Sequence, residues 1–304
     1  MNPEAVAEHR EYLLRIAYRL LGSLDDAEEV VQEAALRAAR PTTDVIREPR
    51  AWLTRIVTNL ALDRLRSAPA RREQYVGPWL PEPRVGDPWS PMSEDPGDEV
   101  ARSEEVSLAL LTVLESLSPA ERAVFVLHEA FALPLAEVAA VVGRTEAATR
   151  QLAVRARQHV DDERPRFDPD PSERARVVAS FEAACVTGDL EALASVLDEG
   201  VLLRADGGGV VKALARPMAG RARVVATLGR TLAGLDDVTV DRRTVNGEPG
   251  LVVHHAGGVA VVALVVDGGR ITQVDIVANP DKLRRVSRVK ADRRPGSRSG
   301  GGCD

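Results

Sequence analysis

Polar side chains recur along residues 50–67 at a spacing that places them on one face of a helix. Four of them follow one another at intervals of four, four and three residues: Arg55, Asn59, Asp63 and Arg66. Asn and Asp can hydrogen-bond base edges, whereas arginines bind phosphates. Trp52, near the start of the segment, could support an unstacked base, but its spacing favours a core position. The pattern indicates either a nucleic-acid-binding face or an ordinary solvated face.

A second set of polar residues lies in the segment Leu135–Arg157, which has the pattern of two short helices around a tight turn. Gly143 is placed where the turn needs a positive φ, Ala139 and Ala140 allow the helices to approach, and Leu152 and Val154 are predicted to anchor the second helix. The opposite face presents Arg144, Thr145, Glu146, Ala148, Thr149, Arg150 and Gln151, with Arg155 and Arg157 further along. Such a face meets base edges in a helix-turn-helix, but a helical hairpin with a solvated basic face fits the same pattern.

A third set is the acidic helical segment 25–37. Its apolar residues (Ala27, Val30, Val31, Ala34 and Ala35) fall on one side, and Glu28, Glu29, Gln32 and Glu33 fall on the other. A face of this kind is either solvated or a docking surface for a basic or polar protein partner, and spacing does not decide between the two.

Charge is distributed unevenly along the 304 residues, which have a net charge of −6. The segments 50–66 and 144–157 each hold four arginines and one acidic residue, whereas residues 73–105 hold nine acidic residues and two arginines. Two local phosphate-binding faces separated by an acidic linker are therefore compatible with a negative net charge of the whole chain. Cys185, a predicted core residue, and Cys303 form no disulfide or metal pattern, and the chain has no signal peptide or long apolar run. We expect a cytoplasmic protein without metal, cofactor or membrane association.

Secondary-structure signals divide the chain into three folded parts. Helical patterns cover 1–70 and 106–162, separated by a Pro-rich acidic linker at 71–105, with a hinge at 163–171, an α+β domain at 172–285 and a basic, disordered tail at 286–304. In the α+β domain, two helices precede Val-rich strands at 201–204, 238–245, 251–255, 259–266 and 270–277. Hairpin turns at Asn246-Gly247, Gly257-Gly258 and Asp267-Gly268-Gly269 predict an antiparallel meander.

Three blocks in the first 160 residues resemble the extracytoplasmic-function (ECF) sigma factors of bacterial RNA polymerase. Residues 18–23 (YRLLGS) and 26–33 (DAEEVVQE) are similar to regions 2.1–2.2 of that family, and residues 49–66 (PRAWLTRIVTNLALDRLR) to regions 2.3–2.4. Residues 117–122 (LSPAER), followed by the helix-turn-helix, resemble region 4. The order of the blocks matches the family as well.

Three further segments resemble the sigma-factor group that carries a SnoaL-like, nuclear-transport-factor-like C-terminal domain. They are the linker signature at 75–83 (YVGPWLPEP), residues 206–209 (DGGG) and residues 279–283 (NPDKL). The family tends to place Lys directly after the glycines, whereas Val210 and Val211 precede Lys212 here.

The resemblance implies a multidomain fold: two all-α sigma domains, namely the region 2 bundle and the region 4 helix-turn-helix, followed by an α+β cone-shaped barrel. It also implies an alternative sigma factor whose activity is modulated by the fused domain, while the polymerase performs the chemistry. The implied partners are core RNA polymerase, through its β′ clamp and β flap, and promoter DNA.

The resemblance assigns four sets of residues. The −10 element would be read and melted by Trp52, Arg55, Asn59, Asp63 and Arg66; the −35 element by Arg144, Thr145, Glu146, Ala148, Thr149, Arg150, Gln151 and Arg155. Polymerase would be bound by Asp26, Glu29, Gln32, Glu33 and Arg37. Regulatory interdomain contacts would come from Tyr75, Trp79, Asp206, Gly207, Gly208, Gly209, Asn279, Pro280, Asp281, Lys282 and Leu283.

Two other functions fit parts of the sequence. A helix-turn-helix regulator with a ligand-sensing pocket would bind duplex DNA without polymerase. A pocket enzyme tethered to a DNA-binding module would draw on His254, His255, Asp206 and Asp275, but these form no readable set of nucleophile, base and orienting group. A small-molecule ligand of the C-terminal domain is compatible with each of the three interpretations.

Overall fold

The computed structural model of the chain describes residues 3–39, 46, 48–72, 75–86, 106–163 and 170–286. Residues 87–105, 164–169 and 287–304, which hold most of the predicted acidic linker, most of the hinge, and Cys303 with nearly all of the predicted tail, lie outside the described residues.

The first part is a bundle of helices: α1 (Pro3–Glu8), α2 (Arg10–Leu21), α3 (Leu24–Ala38) and α4 (Pro49–Arg72). Gly22 ends α2 with a φ of 68°, and the Ser23 hydroxyl caps α3 by accepting from the Asp26 N–H. The helical segment predicted at 50–67 is longer than expected, because α4 continues through Pro69 to Arg72.

The second part comprises α5 (Leu108–Leu114), α6 (Pro119–Phe125), a π-helical turn (Val126–Ala130), α7 (Leu135–Val142) and α8 (Glu146–Glu163). Ser118 and Glu121 form a capping box at the start of α6. Gly143, with a φ of 68°, makes the predicted turn of the helix-turn-helix. Leu152 anchors α8 as expected, but the prediction for Val154 was wrong, since 52% of it is exposed.

The two helical parts share one continuous hydrophobic core. Buried residues of α2–α4 and of α5–α8 belong to the same cluster. The Arg122 guanidinium, 2% exposed, lies at this junction, where it donates to the Leu20 carbonyl (3.0 Å) and pairs with both Glu115 oxygens (2.8 and 2.9 Å). A buried arginine needs such partners, so this contact helps to fix one helical part against the other.

The third part is an α+β domain with a six-stranded mixed sheet in the order β2-β1-β6-β5-β4-β3. Its elements are α9 (Pro171–Thr187), α10 (Leu190–Val196), β1 (Leu197–Asp206), β2 (Met218–Ala219), α11 (Arg221–Ala233), β3 (Thr239–Val245), β4 (Glu248–His255), β5 (Gly258–Asp267) and β6 (Arg270–Val277), followed by a 3-10 turn (Pro280–Lys282).

The α+β fold is confirmed, with two corrections. The sheet is open rather than a closed barrel, and it is not a pure antiparallel meander because β1 pairs parallel with β6. α11, a helix that the sequence did not predict, carries the chain from β2 to β3 at the opposite edge of the sheet. The antiparallel strands β3 to β6 then bring the last strand beside the first, parallel to it. The positive φ angles of Asn246 (50°) and Gly247 (77°), and of Gly268 (55°) and Gly269 (71°), make the expected hairpin turns.

Each face of the sheet has its own core. One face packs against α9, α10 and α11, with Phe181, Leu193 and Leu228 among the buried residues. The other face packs against the linker and α5, through Leu80 and Leu108. Among the described residues, no helix is both long enough and apolar enough to cross a membrane.

Candidate nucleic-acid interface and interdomain contacts

The polar face of α4 is accessible to solvent. Arg55, Asn59, Asp63 and Arg66 are all exposed, and Arg66 pairs with Asp63 at 2.9 Å. Trp52 is half-buried and packs against the helical core, as its spacing favoured. The structure thus places a row of hydrogen-bonding side chains on a rigid helix, with the aromatic ring at its base.

Most of the predicted face of α8 and its preceding turn is also accessible. Arg144, Thr145, Glu146, Arg150, Gln151 and Arg155 are exposed, and Ala148 is half-buried. Thr149 is the exception and corrects the prediction that its side chain meets DNA. It is 0% exposed, and its hydroxyl donates to the Thr145 carbonyl at 3.0 Å, so it packs within the helix-turn-helix.

Acidic α3 is held against α4 by ion pairs. Arg64 of α4 binds Asp26 at 2.9 Å and Glu29 at 3.0 Å, while Glu33 and Arg37 pair along α3 at 2.7 Å. Gln32 and Glu29 are exposed. Two of the acidic residues assigned to polymerase binding therefore also brace the bundle that carries the α4 face.

Asp206 is the centre of a buried polar cluster between the linker and the C-terminal domain. Its carboxylate is 0% exposed and accepts from the Tyr75 hydroxyl (2.5 Å), the Leu80 N–H (2.9 Å), the Gly208 N–H (3.0 Å) and the Lys282 ammonium (2.7 Å). Lys282 also donates to the Leu80 carbonyl and lies 4.0 Å from the centroid of the Trp79 ring.

Burial shifts the titration of two members of the Asp206 cluster. It raises the pKa of the Tyr75 phenol, and the hydrogen bond to Asp206 adds to this effect. It lowers the pKa of the Lys282 ammonium, while the Asp206 carboxylate opposes that change. The buried Lys282 ammonium therefore relies on the Asp206 carboxylate to keep its charge inside the protein.

Asn279 and the glycines complete the same cluster. The Asn279 amide donates to the Tyr75 hydroxyl at 2.9 Å and accepts from the Asp281 N–H. A Cβ on Gly208 would lie 2.4 Å from the Asn279 side chain, and one on Gly207 would lie 2.1 Å from the Val211 carbonyl, so both positions require glycine. Leu283 is 1% exposed, whereas Pro280, Asp281 and Gly209 are exposed. Lys212 is exposed too, and Lys282 is the lysine that binds Asp206.

A second polar junction was missed by the sequence reading. Asn246, 3% exposed, accepts from the Arg84 N–H (2.9 Å) and donates to the Tyr18 hydroxyl (2.8 Å), which donates to the Glu82 carbonyl (2.7 Å). The linker also adds to the edge of the sheet through a bridge between Val85 and Val245. The Asn246-Gly247 pair predicts only a hairpin turn, and nothing local in the sequence reveals its remote partners.

Glu82 connects the linker to the start of α3. Its carboxylate, 5% exposed, accepts from the Leu24 N–H at 2.7 Å and from the Ser23 hydroxyl at 3.4 Å. Burial raises the pKa of Glu82 from 4.5 to about 7, with Asp25 adding to the rise and the Leu24 N–H and Arg285 opposing it. The carboxylate thus titrates near neutral pH.

The residues weighed for catalysis do not converge. Asp206 is bound as described, and Asp275, 1% exposed, forms two hydrogen bonds with Arg204 at 2.7 and 2.9 Å. His254 lies 3.7 Å from Asp241, while His255 accepts from the Gly257 N–H. Among the described residues, no group of three His, Cys, Asp or Glu side chains is placed to hold a metal ion. Cys185 is partly buried against the domain core, and burial raises its pKa to about 12.

Comparison with known proteins identifies the two helical parts. The Sigma-70 region 2 family matches residues 5–71, and the Sigma-70, region 4 family matches residues 107–160. The ECF RNA polymerase sigma factor SigJ of Mycobacterium tuberculosis is 41% identical over 291 residues, which cover 90% of each chain. The chain belongs to the ECF RNA polymerase sigma factors.

The similarity extends to the C-terminal domain of this sigma factor. The crystal structure of M. tuberculosis SigJ superimposes with a TM-score of 0.72 at 37% identity, covering 91% of this sigma factor and 96% of SigJ. The probable ECF RNA polymerase sigma factor SigI of M. tuberculosis is 38% identical over 279 residues, which cover 90% of this chain and 92% of SigI. The fused α+β domain is therefore shared with these relatives.

Proposed function

We propose that this sigma factor binds core RNA polymerase and directs it to promoters, with α4 reading the −10 element and α8 reading the −35 element. The observation that carries the proposal is the pair of exposed polar helix faces, each lying inside a segment that matches a sigma region. The polymerase performs the phosphoryl transfer, and this chain supplies promoter specificity.

The exposed side chains support different tasks for the two faces. On α4, the Asn59 amide can form paired hydrogen bonds with a base edge, while Arg55 supplies a phosphate contact. Around the start of α8, Arg144, Arg150 and Gln151 lie where a recognition helix meets the major groove. Arg155, nearer the middle of α8, fits a phosphate contact.

The exposed polar face of α3 suits the β′ clamp of polymerase, and region 4 would meet the β flap. Gln32, Glu29 and Glu33 supply acceptors on this helix, which Arg64 of α4 holds through Asp26 and Glu29. A rigid acidic helix can steer a basic partner surface and fix its orientation.

The C-terminal domain supports a regulatory role through its two buried junctions with the linker. Asp206 and Lys282 hold Tyr75 and Leu80, while Asn246 holds Arg84. Because the linker joins region 2 to region 4, we infer that the fused domain sets the distance between the two DNA-reading helices.

Run-off transcription with core polymerase tests the proposed function. Asn59→Ala and Arg150→Ala should each lower transcript yield about fivefold or more on the cognate promoter, since one base-edge contact is worth roughly 1–3 kcal/mol. Arg223→Ala removes an exposed arginine from α11 and serves as the matched control. Equal activity of Asn59→Ala and wild type would refute the assignment of α4.

Two outcomes would favour the other functions. Failure to co-purify with core polymerase, together with tight duplex binding by the chain alone, would indicate a conventional helix-turn-helix regulator. Turnover of a small molecule by the isolated chain would indicate an enzyme. For the regulatory role, we expect deletion of residues 172–304 to change transcription from the cognate promoter, and unchanged output would refute it.

A further inference from the structure

Arg285 projects from the end of the C-terminal domain toward region 2. Its neighbours Leu283 and Val286 are 1% and 7% exposed and pack into the core that the sheet shares with the linker. These two anchors fix the backbone on both sides, so the direction of the Arg285 side chain is determined by the fold.

Three carboxylates converge on Arg285. Its guanidinium lies 3.0 Å from Asp25, 3.0 Å from Glu28 and 3.9 Å from Glu82. Asp25 and Glu28 belong to the first turns of α3, whereas Glu82 belongs to the linker. One side chain of the C-terminal domain therefore joins region 2, the linker and its own domain.

The Arg285 contact lies on the face of α3 that holds Gln32. Glu28 and Gln32 are four residues apart on this helix and line the same groove of about 390 Å³ between α1 and α3. The remaining lining residues are Val6, Ala7, Arg10, Val31, Ala35 and Ala39. Arg285 thus binds Glu28, a residue that also lines this groove beside Gln32.

We propose that Arg285 is an in-chain competitor for α3, so that its docking on Asp25 and Glu28 and the binding of core polymerase to α3 are mutually exclusive. This inference rests on the proposed function, in which α3 binds polymerase. Glu28 lies one turn from Gln32, which the proposed function assigns to polymerase, so a polymerase surface seated on Gln32 would meet the Arg285 side chain.

Linkage sets the size of the effect. Two partners that cannot occupy one surface at the same time lower each other's apparent affinity by the same factor. Weakening the Arg285 contact must therefore raise the affinity for polymerase. Arg285 is 29% exposed at its side chain and Asp25 is 51% exposed, so solvent screens much of the attraction. We expect Arg285→Glu, which adds repulsion from three carboxylates, to tighten binding to core polymerase about three- to tenfold.

Hydrogen exchange on the full chain without polymerase measures whether the contact of Arg285 with Asp25 and Glu28 holds the start of α3. Arg285→Glu should speed exchange at the start of α3, where the Leu24 N–H is bonded to Glu82. Arg223→Glu makes the same charge change at an exposed arginine of α11, so it is the matched control and should have a much smaller effect. Adding Glu28→Arg to Arg285→Glu should restore protection by reversing the ion pair.

Affinity for core polymerase, measured on the same variants, completes the test. Unchanged exchange in Arg285→Glu would show that the Arg285 contact does not hold α3, and would refute the proposal. Faster exchange with unchanged affinity would refute mutual exclusion. Absence of polymerase binding by the wild type and every variant would instead overturn the proposed function, and mutual exclusion with it.

Discussion

Replacing Asp206 by Ala should release the linker from the C-terminal domain. The substitution leaves the Lys282 ammonium, 11% exposed at its side chain, without a counter-ion, and it leaves the buried Leu80 N–H without its acceptor. Removing one partner of a buried ion pair costs about 3–5 kcal/mol, because the remaining charge stays desolvated. Taking the lower value, local opening of the linker should become about 100-fold more frequent.

Hydrogen exchange at two linker amides that do not touch Asp206 measures this opening. The Glu82 N–H donates to the Gly22 carbonyl, and the Arg84 N–H donates to Asn246. Exchange at both should accelerate together, whereas amides in the core of α2 should be unaffected, since they open only with the helical bundle.

The double variant separates electrostatics from packing. Adding Lys282→Met to Asp206→Ala removes the stranded charge, so the double variant should open no more often than Asp206→Ala alone. Two results would refute the reasoning: less than about threefold acceleration in Asp206→Ala, or a double variant whose effect is the sum of the two single effects.

Three further predictions follow from single side chains. Because the folded state raises the pKa of Glu82 from 4.5 to about 7, its contribution is complete below pH 4.5 and is lost as pH rises through 7. The free energy of linker opening, measured by hydrogen exchange, should therefore fall by roughly 3 kcal/mol at most between pH 4.5 and 8. Glu82→Gln should remove most of this pH dependence. Asn246→Ala should lower the urea-unfolding free energy by about 1–3 kcal/mol, since it strands buried partners; no change would contradict the junction. Gly143→Ala should cost about 1–2 kcal/mol in thermal unfolding, because its φ is 68°.

Local chemistry explains which features the sequence predicted. The turn at Gly143 and the hairpin at Asn246-Gly247 depend on residues that are adjacent in the chain, so short patterns reveal them. The face of α4 was predicted because helical periodicity alone determines which residues it exposes.

Features that depend on remote contacts were not predictable in the same way. The burial of Thr149 follows from the packing of α8, and the parallel pairing of β1 with β6 follows from the crossover over α11. Asn246 meets Tyr18, 228 positions away in the chain, and no periodicity links them. The contact of Arg285 with α3 is equally remote, at 260 positions from Asp25.

The linker residue Leu80 is 0% exposed inside a core to which α5 and four strands of the sheet also contribute. Separating the domains would expose these apolar surfaces together, so opening should behave as one cooperative step without a stable half-open form. It should also carry a positive change in heat capacity, as every exposure of apolar surface to water does. The free energy of opening would then curve with temperature, and a shift in growth temperature alone would alter how readily the C-terminal domain separates from the linker.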